Sequence, residues 1–355
     1  MKVGILTWFS GYNYGARAQS YALLKVVSGM GHDCEFVNFE LKNFKKYCRK
    51  GNLNCWYPYR RPIRAAKCYI RCFRYERDLK GMPISAKVHS AEEIDNLGYD
   101  MIIIGSDSVF NIHHPMFHPV YYGVGLKKTP YMFYAPSCES MDGAEKLPKE
   151  LCDALCHAKA ISVRDENTKK IISRALEKSD SRHIPVLPDP SLLYDYQDIT
   201  RPIREKKYIL LYSFSNWGKY SEEFRHYAKE RDLKIISVGR YCPWADFSYD
   251  MASVSQWMGC FVNAKLVLTD SFHGAVFGIK NGKPLVLMSR EDKRQKILEL
   301  LKMCGIDRGI FYDGQNLDEY LKSVEIQYTD VDDMLEVLKQ SATEFLRYSL
   351  KGSLI

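Results

Sequence analysis

The stretch Ala264–Pro284, AKLVLTDSFHGAVFGIKNGKP, decides how the rest of the chain is read. A short apolar run, Leu266–Leu268, leads directly into Thr269, Asp270, Ser271 and His273. Gly274 and the apolar residues Ala275–Ile279 follow, closed by Asn281–Gly282. A short apolar run next to turn formers reads as a buried strand, and the segment after it as a helix. The polar cluster then lies at the strand's carboxyl edge, where open α/β sheets bind ligands beside the free N–H groups of a helix start. Read as structure alone, the same residues make a tight strand–helix turn with an Asp or Ser cap and a hydrogen-bonded histidine.

The pattern recurs elsewhere in the chain. Lys2–Phe9 reads as a strand, Ser10–Gly15 (SGYNYG) as a loop, and the chain from Ala16 as a helix ended by Gly29–Gly31, before a second strand over Cys34–Phe39. This βαβ opening predicts a parallel sheet. Its loop lacks both GxGxxG spacing and a P-loop lysine. It offers a pliable backbone at a helix start, with Asn13, Tyr14, Gly15, Arg17 and Gln19 at hand, and reads either as a ligand loop or as a plain turn. Tyr99–Gly105 is a further buried strand ending in Ser106, Asp107 and Ser108. Ala160–Val163 delivers Arg164, and Ile184–Pro190 ends at Asp189. An arginine at such an edge suits a carboxylate or phosphate oxygen, or half of an ordinary ion pair. Asp189–Tyr196 reads as the connection between two domains, 1–190 and 191–355, because the α/β pattern restarts at Lys207–Ser213 and 355 residues exceed one ordinary core.

Composition narrows the class: 46% hydrophobic and 26% charged residues are those of a globular protein. The opening MKVGILTWFSG lacks the features of a secretion signal, and no apolar stretch has the length of a spanning helix. A cytosolic protein is expected, with most of its 11 scattered cysteines as free thiols. Cys68 with Cys72, and Cys152 with Cys156, lack the further ligands of a zinc site, and no metal or cofactor is expected; His113, His114 and His118 share a loop that could only loosely suggest one. Net charge is +8, yet Leu41–Lys80 holds 13 Lys or Arg against 2 acids, 13 − 2 = +11, which leaves 8 − 11 = −3 for the remainder. In this basic insert, 41–80, Arg60, Arg64, Lys67, Arg71 and Arg74 recur every three or four residues, with Ile63, Ala66, Ile70 and Phe73 on another face. Such a helix can meet an anionic membrane, face a phosphate-bearing substrate, or pack on the domain as a solvated helix. Nucleic acid is not expected, since no binding module accompanies the charge.

Asn13–Tyr14–Gly15 with Gln19 and Tyr21–Ala22–Leu23, Gly105–Ser106–Asp107 with Asn111, Ser162–Val163–Arg164, Asp189–Pro190, and Thr269–Gly274 with Pro284 occur in that order. Together they resemble the polysaccharide pyruvyl transferase family, from Lys2 to about Arg308. The resemblance implies an α/β fold of two Rossmann-like domains facing a cleft, GT-B-like. It also implies an enzyme that moves the pyruvyl group of phosphoenolpyruvate onto a sugar of a cell-surface polysaccharide or its lipid-linked precursor, forming a ketal and releasing phosphate. The first domain would hold the acceptor and the second the donor. Carried over residue by residue, the resemblance points to Arg164 and His273. Some relatives have arginine at the position of Ser271; this chain resembles a Ser-Phe-His-Gly branch, and Arg240, Arg290 and Arg294 are candidates for the missing cation. Ala18 stands where the family usually has leucine.

Such a reaction needs two cationic or N–H-rich sites for the donor's carboxylate and phosphate, an acid for its methylene carbon and a base for the acceptor hydroxyl. His273 suits the acid or a phosphate contact and Arg164 the carboxylate. Asp107 or Asp270, and less directly Asp189, suit the hydroxyl. N–H groups after Gly274 and around Tyr14–Ala16 complete an anion site, and arginines can neutralise the developing charge without a metal. The alternatives are a GT-B-type glycosyltransferase using a nucleotide sugar, and a non-catalytic peripheral envelope-assembly protein docking through its basic insert.

Overall fold

The computed structural model describes residues 1–42, 62–176, 182–215, 217–288, 291–306, 310–311, 315–324 and 331–351. The first sheet holds β1 (Lys2–Leu6), β2 (Asp33–Phe39), β3 (Ile84–Val88), β4 (Met101–Ile104) and β5 (Tyr131–Phe133), in the order β3-β2-β1-β4-β5. The second holds β6 (Tyr208–Tyr212), β7 (Lys234–Val238), β8 (Phe247–Tyr249), β9 (Leu266–Thr269) and β10 (Leu285–Leu287), in the order β10-β9-β6-β7-β8. Every pairing is parallel. The central strands MIII, YILLY and LVLT are buried at every position, as strands covered on both faces must be. In each sheet the chain runs outward on one side and then crosses to the other. The strand order therefore reverses between β1 and β4, and again between β6 and β9. The carboxyl edge at such a reversal is the ligand-binding position of open α/β sheets.

Among the described residues the α-helices are α1 (Tyr14–Gly29), α2 (Pro62–Arg77), α3 (Ala91–Asp95), α4 (Lys149–His157), α5 (Glu166–Leu176), α6 (Ser221–Glu230), α7 (Val254–Val262), α8 (Phe272–Lys280), α9 (Glu291–Met303), α10 (Leu317–Val324) and α11 (Val331–Lys351). No described helix is long and apolar enough to cross a membrane.

Two compact units change over at Asp195–Tyr196, but their membership differs from the expected 1–190 and 191–355 in two places. The insert's described part, 62–80, belongs with the second unit, and the chain from Leu335 returns to the first. Hydrogen bonds explain the first difference. Arg71 donates to the carbonyls of Gly239 and Asp250, Arg74 to that of Met251, and Lys67 pairs with Asp250 at 2.8 Å. For the second, the Phe345 ring of α11 lies 6.4 Å from that of Tyr134, just past β5.

Other expectations also needed correction. Ala160–Val163 and Ile184–Pro190 make only isolated bridges, Phe133 to Ile161 and Val163 to Val186. β3 and β8 were not anticipated because each is an edge strand, short and partly exposed, with a weak apolar pattern. Most of the described cysteines are free thiols, as expected: Cys34, Cys72, Cys138, Cys152, Cys156, Cys242, Cys260 and Cys304, while Cys68 is disulfide-bonded. Residues 43–61 of the insert, with Arg60, lie outside the described set, as does the Arg64 side chain.

Candidate active site

In the second unit three consecutive side chains secure the edge between β6 and β9. Thr269 Oγ1 donates to the Tyr212 carbonyl at 2.6 Å and accepts the Ser271 N–H. Asp270 accepts the main-chain N–H groups of Phe214 (2.8 Å) and Ser215 (2.7 Å), in the loop after β6. Ser271 is the N-cap of α8, its hydroxyl accepting the Gly274 N–H. The apolar run into α8 thus places His273 in the first turn of the helix, 9% exposed, with its ring edge-on to Phe272. Gly274 permits this arrangement, because a Cβ there would strike Thr269 Oγ1 and lie 3.0 Å from Tyr212 Cδ1.

Asp270 was expected to act on a hydroxyl. It is buried and holds two N–H groups of the neighbouring loop, which braces the two strand ends. Of the candidates to replace a cation at Ser271, Arg240 is at this edge. Its exposed guanidinium donates to the Phe214 carbonyl at 3.0 Å and lies 4.9 Å from the Phe214 ring centroid. Arg294 is half-buried on α9, and Arg290 lies outside the described residues.

In the first unit, Asn13 is the N-cap of α1, its side chain accepting from Gly15 (2.9 Å) and Ala16 (3.3 Å). The helix therefore begins at Tyr14, ahead of the expected Ala16, and Tyr14 and Gly15 form its first turn. Arg17 is buried and donates from Nε to the Phe9 carbonyl at 2.7 Å, so it braces the loop after β1. Gln19, also buried, donates to Thr7 Oγ1 at 3.1 Å, and Thr7 Oγ1 donates to the Ser106 carbonyl at 3.3 Å. This relay joins α1, β1 and the loop after β4. The loop was read either as a ligand loop or as a plain turn, and both side chains are buried in the scaffold around it.

Gly105 (φ +117°) passes so close to the Tyr134 carbonyl that a Cβ would collide with it. Asp107 follows with φ +67°, a left-handed conformation uncommon for a residue with a side chain. It is half-buried at the end of β4, and its carbonyl accepts the Ser137 N–H. Arg164 pairs with Asp189 at 3.0 Å, both side chains buried. Burial opposes the guanidinium's charge, but Asp189, Asp107 and Asp165 outweigh it and raise its pKa. Asp189 also accepts the N–H and hydroxyl of Ser191.

Sequence reasoning missed Trp8 and Glu139, and weighed His114 only as a loose metal ligand. The ring of His114 lies 4.4 Å from that of Trp8. Burial, the largest effect, lowers its pKa, against the opposing charges of Glu139 and Asp107. Asn111 reaches Glu139 at 3.5 Å. Trp8 follows β1, Asp107 and His114 follow β4, and Glu139 follows β5, so loops after three strands supply this cluster. The available signal was position just past a strand end, not motif. The other loop histidines have separate partners: His113 meets Glu145 at 2.7 Å, and His118 accepts the Val120 N–H. Among the described residues no group of three or more His, Cys, Asp or Glu is placed to hold a metal ion.

Two parallel α/β sheets, each with polar motifs at its strand-order reversal, define a protein of the GT-B-like class. Solved structures share the fold. A UDP-GlcNAc 2-epimerase from Methanocaldococcus jannaschii superposes with TM-score 0.58 at 13% identity, covering 93% of this chain and 93% of that one. UDP-GlcNAc 2-epimerase from Neisseria meningitidis, bound to UDP-GlcNAc, gives 0.53 at 9%, covering 99% and 100%. An alpha-glucosyltransferase in complex with UDP and a 13-mer DNA gives 0.50 at 12%, covering 100% and 98%. Among curated proteins no sequence matches this chain. Residues 13–292 match the family described as polysaccharide pyruvyl transferase, and the chain belongs to that family. It is accordingly a transferase.

Proposed function

We propose that the protein uses phosphoenolpyruvate to place a cyclic pyruvyl ketal on a sugar of a cell-surface polysaccharide or its lipid-linked precursor, and that it is of a Ser-Phe-His-Gly branch of its family. The observation that carries this reading is the position of the family's motifs. Asn13–Gly15 and Gly105–Asp107 lie at the strand-order reversal of the first sheet, and Thr269–Gly274 at that of the second. One acceptor hydroxyl adds to the phosphate-bearing carbon while a proton goes to the methylene carbon, making a methyl group. The second hydroxyl displaces phosphate at the same carbon, and its proton leaves with the phosphate or the base.

On the donor side, His273 supplies the proton or holds the phosphate, near the positive end of α8. Arg240 is the cation that this chain uses in place of an arginine at Ser271, binding the carboxylate or a phosphate oxygen. On the acceptor side, Asp107 and His114 receive the hydroxyl protons; a half-buried imidazole whose pKa is lowered by desolvation suits a base. Arg164 acts by holding Asp189 and by its field on Asp107, not by binding donor.

The test is incubation with phosphoenolpyruvate and envelope oligosaccharide acceptors. Phosphate release that requires both, with a pyruvyl ketal in the product, supports the reading. Consumption of a nucleotide sugar, with phosphoenolpyruvate untouched, would replace it by glycosyl transfer.

A further inference from the structure

Helix α2 leaves its apolar face outside. Cys68, Arg71, Cys72 and Tyr75 form its buried side, and Arg71 and Arg74 give their guanidinium groups to main-chain carbonyls of the second unit. The opposite side carries Ile63 (77% exposed), Ile70 (44%) and Phe73 (62%), with Tyr69 (62%) beside them. Spacings of seven and three residues set the first three on one helical stripe. Tyr241, 68% exposed in the loop after β7, extends the patch, its ring 5.9 Å from Lys67 Nζ. Exposed Arg77 and Lys80 stand at the C-terminal end of the stripe, and the Lys67 side chain, 41% exposed, flanks it.

We propose that this stripe docks the enzyme on an anionic phospholipid bilayer, with Ile63, Ile70 and Phe73 entering the boundary between headgroups and acyl chains. The proposal deepens the reading of a lipid-linked acceptor and rests on it for its purpose, though not for its chemistry. Charge complementarity selects the occupant. Among the described residues at the stripe's side and end, Lys67, Arg77 and Lys80 stand against the one exposed acid Glu76. A surface that is apolar a few ångströms down and negative across its face satisfies both properties at once. Tyrosine rings and lysine stems with solvated heads suit the headgroup level. A second copy seated on the same stripe would set two such basic segments against each other.

The experiment is vesicle co-sedimentation of the full chain, with phosphatidylcholine alone and mixed with phosphatidylglycerol. Wild type should bind the mixed vesicles and bind phosphatidylcholine alone more weakly. Ile63→Ser/Ile70→Ser/Phe73→Ser should partition at least about tenfold less, from the lost apolar burial. Its thermal midpoint and its transfer to a water-soluble acceptor should match wild type. A second variant, Phe73→Trp, keeps the stripe apolar and should add indole fluorescence that brominated lipid quenches. The proposal fails if wild type ignores anionic vesicles, if the triple variant binds as wild type does, or if the added indole is not quenched. It also fails if wild type is a dimer that the triple variant dissolves, which would assign the stripe to self-association. Transfer to the soluble acceptor is scored separately, so loss of the pyruvyl transfer reading would show there and not in the vesicle assay.

Discussion

Arg164 Nη1 lies 3.0 Å from Asp189 Oδ2, in a pair buried on both sides. Removing one partner of such a pair leaves an uncompensated buried charge. Asp189→Ala and Arg164→Ala should each destabilise the protein by about 3–5 kcal/mol, read from urea denaturation. Weaker phosphoenolpyruvate binding by Arg164→Ala at an unchanged urea midpoint would instead make Arg164 a donor contact.

His273→Asn should lower acceptor-dependent phosphate release by about 10²- to 10⁴-fold, the usual contribution of a positioned acid. The fold should survive, because Asn keeps a polar side chain in the first turn of α8. Turnover equal to wild type would remove His273 from the chemistry.

Arg240→Ala should raise KM for phosphoenolpyruvate by about 10- to 100-fold, the loss of one charge-assisted hydrogen bond, with no change in vesicle binding. An unaltered KM would point to another cation.

Gly274→Ala forces a methyl group against Thr269 Oγ1, which is itself held by the Tyr212 carbonyl. The cost should be about 1–3 kcal/mol, with activity falling alongside as α8 lifts from β9. Thr269→Ala combined with Gly274→Ala should cost less than the sum of the two single changes. Additive effects in denaturation would show that the close approach is not the cause.

His32, His114 and His118 all have pKa values lowered from the ordinary 6.5, with burial the leading cause. As pH falls below 6.5, the unfolded chain takes up protons that the folded chain resists. Their contribution to stability is therefore fully present above 6.5 and is lost as pH falls through the folded values. Urea midpoints measured from pH 7.5 downward should decline, and His114→Gln should flatten the decline. A slope unchanged in that variant would show that His114 is not among the responsible groups.

Much of the scaffold was legible because its signals are local. The uninterrupted apolar runs of β4, β6 and β9 cannot be amphipathic surface elements, and each is followed at once by polar residues. Those residues proved to stand at the edge where the strand order reverses. Individual roles were less legible. Asp270, Arg17 and Gln19 have side chains suited to a ligand, yet each is committed to backbone or scaffold groups brought near by other strands. Edge strands β3 and β8 lacked a pattern because few of their residues are buried. The grouping of Trp8, His114 and Glu139 went unnoticed because separations of 106 and 25 residues along the chain conceal their proximity.

By itself the sequence determined the parallel α/β class and the family motifs, since strand burial and turn chemistry are properties of neighbouring residues. Only tertiary structure decided which polar side chains remain available for chemistry. That depends on whether a buried donor or acceptor finds its partner within the protein, and the partner usually comes from a distant strand. It also decided the orientation of α2. Periodicity gives a helix two faces but does not say which one is covered. Carbonyls at the ends of β7 and β8 accept Arg71 and Arg74, and that leaves Ile63, Ile70 and Phe73 outside.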